Sequence, residues 1–409
     1  SNKRMPGGVL HLEHKKAIYQ TSYGNRQLVP KTEKATKETI YDLASLTKVV
    51  ATTPAVMKLI EGGAIELDAP AQRYLPELSG DSNKPKITVR HLLTHTSGLA
   101  AGVRRGYEWS GSKDGFALAA GEPSRSLAGL SYQYSDLNFI LLGEIVARVT
   151  GMPLQDYCWK EIFLPLGMNQ TFFLPDPKLE GRIAPTTLLE DGSLLRGIVH
   201  DPTSRRMGGV AGHAGLFSTV DDLARFARML LNGGGGILKP ETISLMTSVQ
   251  SPANIESRRG LGFDIDSTYS SLRGELFPKG SFGHTGWTGT SIWIDPTSES
   301  FVIFLSNRNH PSGGDVIALR KDLGTLAAKA TGFDFSTVKK RLPEVVPKLP
   351  GFPDVLNGID VLERDQFAAL EGMRVGLITN QTGTNRKGVT TIDLLHRSRR
   401  LDLKLLFGP

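Results

Sequence analysis

Strand-forming runs stand at both ends of a long helical stretch, and this placement constrains the fold more than any single motif. Residues 8 to 30 alternate apolar and polar positions (Val9-Leu10, Ala17-Ile18-Tyr19) and break at Gly24-Asn25, as a pair of strands does. Strand signals return at 260 to 306, where Phe282 to Ile294 and Phe301 to Leu305 predict neighbouring strands. Between about 65 and 245 the periodicity is mostly helical, clearest at Leu137 to Val149 and Leu154 to Phe163, and Asp315 to Thr331 predicts a later helix. Two half-buried sets of strands need each other's apolar faces. The expectation is one sheet completed by both halves of the chain, in an α/β body with a mostly helical insertion at about 65–245.

This body is expected to span 1–343. A linker follows at 344–356, with three prolines in seven residues between Pro347 and Pro353. Residues 357–409 then predict one β-α-β unit: a strand at Arg374 to Thr379, a helix at Thr391 to His396 and a strand at Leu403 to Phe407. One such unit cannot cover both faces of a parallel pair, so it should lean on the main body or be part of something larger.

The 409 residues carry a formal net charge of +7, but Lys and Arg are scattered among acids with no basic run interleaved with aromatics. That argues against a nucleic-acid partner. Cys158 is the single cysteine, which excludes an intramolecular disulfide and a cysteine-based zinc site. No apolar run reaches the roughly 20 residues of a membrane span. Gly233 to Gly236 is a loop and not a phosphate cradle, since no Gly-Lys-Ser/Thr follows.

Chemistry enters with Ser45-Leu46-Thr47-Lys48 at the start of a predicted amphipathic helix. A serine hydroxyl needs a positioned base, and a Lys three residues on lies on the same helical face. Burial would disfavour the ammonium and lower its pKa, and the helix start would favour an oxyanion. Apolar residues continue at helical spacing to Ile60, interrupted by Pro54, which should kink or break the helix. Two more segments matter: Tyr134-Ser135-Asp136 just before a helix, and His284-Thr285-Gly286-Trp287 on a strand.

With Thr88-Val89-Arg90-His91-Leu92-Leu93-Thr94-His95-Thr96-Ser97-Gly98-Leu99 between the first two motifs, residues 7 to 335 resemble the serine β-lactamase and penicillin-binding-protein superfamily, in its class C β-lactamase, D,D-peptidase and esterase branch. The resemblance implies a β-lactamase-like fold with an antiparallel sheet flanked by helices. It implies Ser45 as nucleophile, Lys48 as proton partner, Tyr134 as relay to the leaving group, and an oxyanion hole from the backbone N–H groups of Ser45 and Trp287. Asp136, His284, Thr285 and Gly286 would bind substrate. No cofactor and no metal is implied.

Two departures carry information. His284 replaces a Lys with an imidazole that is mostly neutral at pH 7, and Asp136 replaces an Asn with a negative charge beside Lys48. Both make the pocket less positive, so substrate carboxylates, including those of β-lactams, should be held poorly, while Asp136 should raise the Lys48 pKa. His213, flanked by glycines, is a candidate for substrate binding, with a structural hydrogen bond as the competing reading. His91 and His95 have the spacing of a metal pair but lack the Glu of H-E-x-x-H, which favours a structural role.

The tail, through Gly358 to Leu362, Thr379 to Gly383 and Thr391 to Leu395, is similar to the start of the exo-N-acetylmuramidase family of peptidoglycan recycling. That pairing implies a serine hydrolase on peptidoglycan fragments, an amidase or peptidase of the muropeptide amidase kind, in a bacterial periplasm or outside the cell. The alternatives are a broad carboxylesterase, a weak β-lactamase or D,D-carboxypeptidase, or a non-catalytic wall-binding module. An α/β-hydrolase is disfavoured because no G-x-S-x-G elbow occurs.

Overall fold

The computed structural model describes residues 5–104, 106, 108–338, 358–379, 383–385, 389–398 and 400–407. The chain divides into two compact units, Ser1–Lys348 and Leu349–Pro409. The expected linker 344–356 and the boundary at 343 lie outside the described residues.

In the first unit an eight-stranded sheet runs in the order Glu33–Lys34, Ala17–Gln27, Gly7–His14, Ser300–Ser306, Ser291–Asp295, Phe282–Thr285, Asp264–Asp266, Arg258–Arg259. Its pairings are antiparallel throughout. The two ends of the unit meet where Gly7–His14 pairs with Ser300–Ser306, Val9 opposite Leu305 and His11 opposite Ile303. Ser300–Ser306 is buried at every residue because helices cover both of its faces. On one side Ala327 and Ala328 of the helix Ile317–Ala330 pack with Trp293 and Val302. On the other lies Val220–Leu231, whose Leu223, Phe226, Ala227 and Leu230 are buried and whose Thr219 side chain caps it at the Asp222 N–H. Burial on both faces explains the unbroken run Phe301-Val302-Ile303-Phe304-Leu305.

The insertion is helical around Asp136–Thr150, with buried Leu137, Phe139, Leu141, Leu142 and Ile145. The first unit also holds elements that periodicity does not predict. A second sheet of three short strands, Tyr41–Asp42, Leu216–Ser218 and Phe172–Phe173, joins segments far apart in sequence. Among the described residues no single helix is long and apolar enough to cross a membrane; Asp136–Thr150 and Leu154–Phe163 reach that composition only together, bent by 77°.

The second unit has a parallel pair, Arg374–Ile378 with Asp402–Phe407, connected through the helix Thr391–Arg397, as the β-α-β reading expects. Ile378, Leu405, Leu406 and Phe407 are exposed. Asn380 to Thr382 of the quoted resemblance lie outside the described residues.

Candidate active site

Ser45 sits on the turn leaving the short strand Tyr41–Asp42. The buried Asp42 carboxylate holds that turn: Oδ1 accepts the Ala44 N–H at 2.8 Å and Oδ2 the His200 N–H at 2.7 Å. Burial pushes the Asp42 pKa up to about 6 against these hydrogen bonds. Ala44 lies at φ +47°, a conformation a non-glycine residue adopts at a cost. The discontinuity expected at Pro54 is a π-helical segment, Lys48–Thr52, followed by the α-helix Thr53–Glu61 with Pro54 in its first turn. There the missing proline N–H costs least.

Lys48 is fully buried, with two hydrogen-bond acceptors and one carboxylate at its ammonium. Nζ lies 2.8 Å from Asp136 Oδ1, donates to the His213 carbonyl at 3.0 Å and to Ser45 Oγ at 3.1 Å, and stands 5.0 Å from the Tyr134 ring centre. Burial by itself would lower the Lys48 pKa, but the Asp136 carboxylate and then Tyr134 outweigh it and leave the pKa above its ordinary value. The expectation that Asp136 raises this pKa agrees with the structure, and the expectation that burial frees the amine is corrected. The resting group is an ammonium.

Tyr134 and Asp136 are fixed from an unexpected quarter. His95, buried and at φ +58°, accepts the Ser135 N–H at Nδ1 (3.1 Å), and its ring packs on Tyr134 with centres 4.5 Å apart. His91 completes a capping box with Thr88 on the short helix Val89–Leu93. The two histidines thus serve structure.

His284 is buried, its ring centre 5.9 Å from that of Tyr134. Nδ1 lies 2.8 Å from the Thr285 carbonyl, which can only accept, so Nδ1 carries the hydrogen and Nε2 the lone pair. Burial, with Arg259 and Lys48 nearby, drives its pKa well below the usual imidazole value, so His284 is neutral. The following strand end is stitched to the serine turn: Thr288 Oγ1 donates to the Asp42 carbonyl at 2.7 Å and Thr290 Oγ1 to the Leu43 carbonyl at 3.0 Å. Gly286 is required there, since a Cβ would come within 2.3 Å of the Leu43 carbonyl oxygen. Among the described residues the backbone N–H groups of Ser45 and Trp287 have no hydrogen-bond partner, as oxyanion donors must be before substrate arrives.

His213 departs from the expected substrate role. Its imidazole is buried, Nε2 lies 2.8 Å from Asp201 Oδ1, and it is absent from the residues lining the cavity; its carbonyl, not its ring, reaches Lys48. Asp201 also accepts the Ser204 N–H at 2.7 Å, and His213, that N–H and Lys48 hold its carboxyl well below the usual range despite burial. Ligand atoms of Asp136, Asp201 and His213 lie within 4.8 Å of one another, and the Lys48 ammonium supplies the positive charge to this group.

A cavity of about 480 Å³ opens at Ser45, lined also by Tyr134, His284, Thr285, Gly286 and Trp287. Sequence reasoning missed its other wall: Arg259, Asp264, Trp293, Arg308, Asp315 and Arg320. The two substitutions expected to make the pocket less positive are thus accompanied there by three arginines and two aspartates. Arg320 donates from Nη2 to the Gly286 and Thr290 carbonyls at 2.7 and 2.6 Å, and burial beside Arg308 pushes its pKa down to about 10.

The beta-lactamase family model matches residues 1–326. A protein of Escherichia coli K12 bearing a D-alanyl-D-alanine carboxypeptidase name is 33% identical over 350 residues, 75% of this chain and 79% of that one. The octameric penicillin-binding protein homologue of Pyrococcus abyssi superposes with a TM-score of 0.65 at 26% identity, over 82% of this chain and 75% of the other. A class C beta-lactamase of Rhodobacter sphaeroides gives 0.62 at 20% identity over 80% and 95% of the two chains, a likeness of fold alone. The family match ends at residue 326 and lends the muramidase resemblance of 357–409 no support.

Proposed function

The chain belongs to the beta-lactamase family of serine hydrolases, and within it we propose an amidase or peptidase that cuts peptidoglycan fragments through an acyl-enzyme on Ser45. One observation carries the reading: Lys48 Nζ bridges Ser45 Oγ and Asp136 Oδ1 at 3.1 and 2.8 Å. A neighbour able to accept a proton must compensate for an ammonium that cannot itself be the base. As Ser45 attacks the carbonyl, Lys48 hands a proton to Asp136 and takes the Ser45 proton. The oxyanion meets the N–H groups of Ser45 and Trp287. Tyr134 protonates the leaving amine and is reprotonated by Lys48, which recovers its proton from Asp136. Water then cleaves the acyl ester along the same relay and returns a proton to Ser45.

Neutral His284 in place of a lysine supports a scissile amide with no carboxylate beside it, such as the lactyl-L-Ala amide of a muramyl peptide. Activity on wall fragments would place the protein in the periplasm or outside the cell. A second reading, removal of a terminal D-Ala, is favoured by Arg308 and Arg320 in the same cavity and by the name of the Escherichia coli relative. Incubation with a muramyl-L-Ala peptide, a D-Ala-D-Ala peptide, nitrocefin and a short-chain p-nitrophenyl ester separates the two. Fastest cleavage of the lactyl-L-Ala amide supports the amidase. Faster release of D-Ala supports the second reading, and turnover of the ester alone contradicts both.

A further inference from the structure

One wall of the cavity is incompletely paired. Arg259, Asp264, Trp293 and Arg320 are at most 7% exposed, yet Arg259 Nε, both Asp264 carboxylate oxygens, Trp293 Nε1 and Arg320 Nε make no hydrogen bond. All four residues line the cavity that holds Ser45. Arg259 and Asp264 form an ion pair at 3.3 Å, too loosely aligned for a hydrogen bond, while Arg259 Nη2 is spent on the Gly262 carbonyl at 2.9 Å.

The sheet accounts for the grouping. Arg259 pairs with Asp264, Asp264 with Gly283 and Gly283 with Trp293, across four neighbouring strands. Gly283 lets the indole lie against its strand, since a Cβ there would meet the Trp293 ring at 2.5 Å.

Buried polar groups without partners each cost about 1–3 kcal/mol, more when charged, and several lining one cavity require a reason. An apolar acyl chain would leave every one of them unpaired. The set contains donors on two guanidiniums and an indole, and acceptors on one carboxylate. We infer that Arg259, Asp264, Trp293 and Arg320 form a subsite for a zwitterionic amino-acid head group, its ammonium on Asp264 and its carboxylate on the arginine and indole N–H groups. This rests on the hydrolase reading and adds to it the class of substrate side chain: a peptide carrying a free amino-acid group away from the scissile bond.

The test is calorimetric binding to Ser45→Ala protein, which needs no turnover. The probes are muramyl tripeptides whose third residue is diaminopimelate, lysine or norleucine. The diaminopimelate peptide should bind about tenfold or more tighter than the norleucine one, with lysine between, as charge-assisted hydrogen bonds imply. Adding Asp264→Asn should remove that advantage and change norleucine binding less than about threefold. Equal or tighter binding of norleucine, no binding of the diaminopimelate peptide, or an advantage that survives Asp264→Asn overturns the subsite. Should Asp264→Asn not fold, Trp293→Phe must weaken the diaminopimelate peptide about threefold, and an unchanged affinity counts against the proposal. Failure of the hydrolase reading shows separately, as absence of Ser45-dependent cleavage by the wild-type protein.

Discussion

Two clusters of charge adjoin the same serine, and they differ in how closely their opposite charges approach: 2.8 Å between Lys48 and Asp136, 3.3 Å between Arg259 and Asp264. Around Lys48 the ammonium donates to Ser45 and to the His213 carbonyl and stands 2.8 Å from Asp136 Oδ1, and Asp201 is held in turn by His213 and the Ser204 N–H, while Asp136 Oδ1 and His213 Nδ1 make no hydrogen bond. Around Arg259, Asp264 and Arg320 polar atoms stay buried without partners. The tighter cluster, closed on Lys48, holds a proton donor within reach of Ser45 and Asp136 before reaction. An open one is destabilised until a ligand completes it. On the proposed reading the first cluster carries the chemistry and the second the recognition.

Breaking the closed cluster has the largest expected effect. Lys48→Ala leaves the Asp136 and Asp201 carboxylates without their cation; amide hydrolysis should fall about 10⁴-fold and stability by about 3 kcal/mol, read from the shift in urea midpoint. Asp136→Asn is sharper, because it keeps shape and removes the acceptor. It should lower kcat/KM about 100-fold. With its main raising influence gone, burial dominates the Lys48 pKa, which falls, so the pH–rate profile should shift as well. A faster enzyme at neutral pH would mean that Lys48 serves as a free amine, with Asp136 outside the relay.

His284→Lys changes the boundary between the clusters. A cation there should raise turnover of nitrocefin relative to a p-nitrophenyl ester by about tenfold, the scale of one charge-assisted hydrogen bond. The smallest effect concerns Asp201. Its folded pKa lies below the unfolded value of about 3.9, so its stabilisation is present above that pH and is lost as pH falls through the folded value. Asp201→Asn should therefore be less stable at pH 7 and show a shallower loss of stability on acidification, measured by urea unfolding at a series of pH values.

What the sequence reveals follows the same division. Gly7–His14 and Ser300–Ser306 are long enough to carry a pattern, so the joining of the two chain ends was legible. The strands Tyr41–Asp42 and Phe172–Phe173 are two residues each, too short for any periodicity, yet the first delivers Ser45. Ser45, Lys48, Tyr134 and His284 stand in the motifs that carry the family resemblance. Arg259 and Arg320 do not, because an arginine is ordinarily solvated and only the tertiary fold buries these two. His213 was visible through its glycines, but its contribution to Lys48 is a backbone carbonyl, for which no side chain leaves a signal. The direction of the Lys48 shift is legible once Asp136 is read together with burial, since a pair, and not a residue, sets it.

The claim that the closed cluster activates Ser45 is tested most directly by intact-protein mass spectrometry after treatment with a fluorophosphonate. The account predicts a single adduct that maps to Ser45, absent from Ser45→Ala, together with loss of amide hydrolysis in that variant. An adduct on another residue, or hydrolysis that persists in Ser45→Ala, would contradict it.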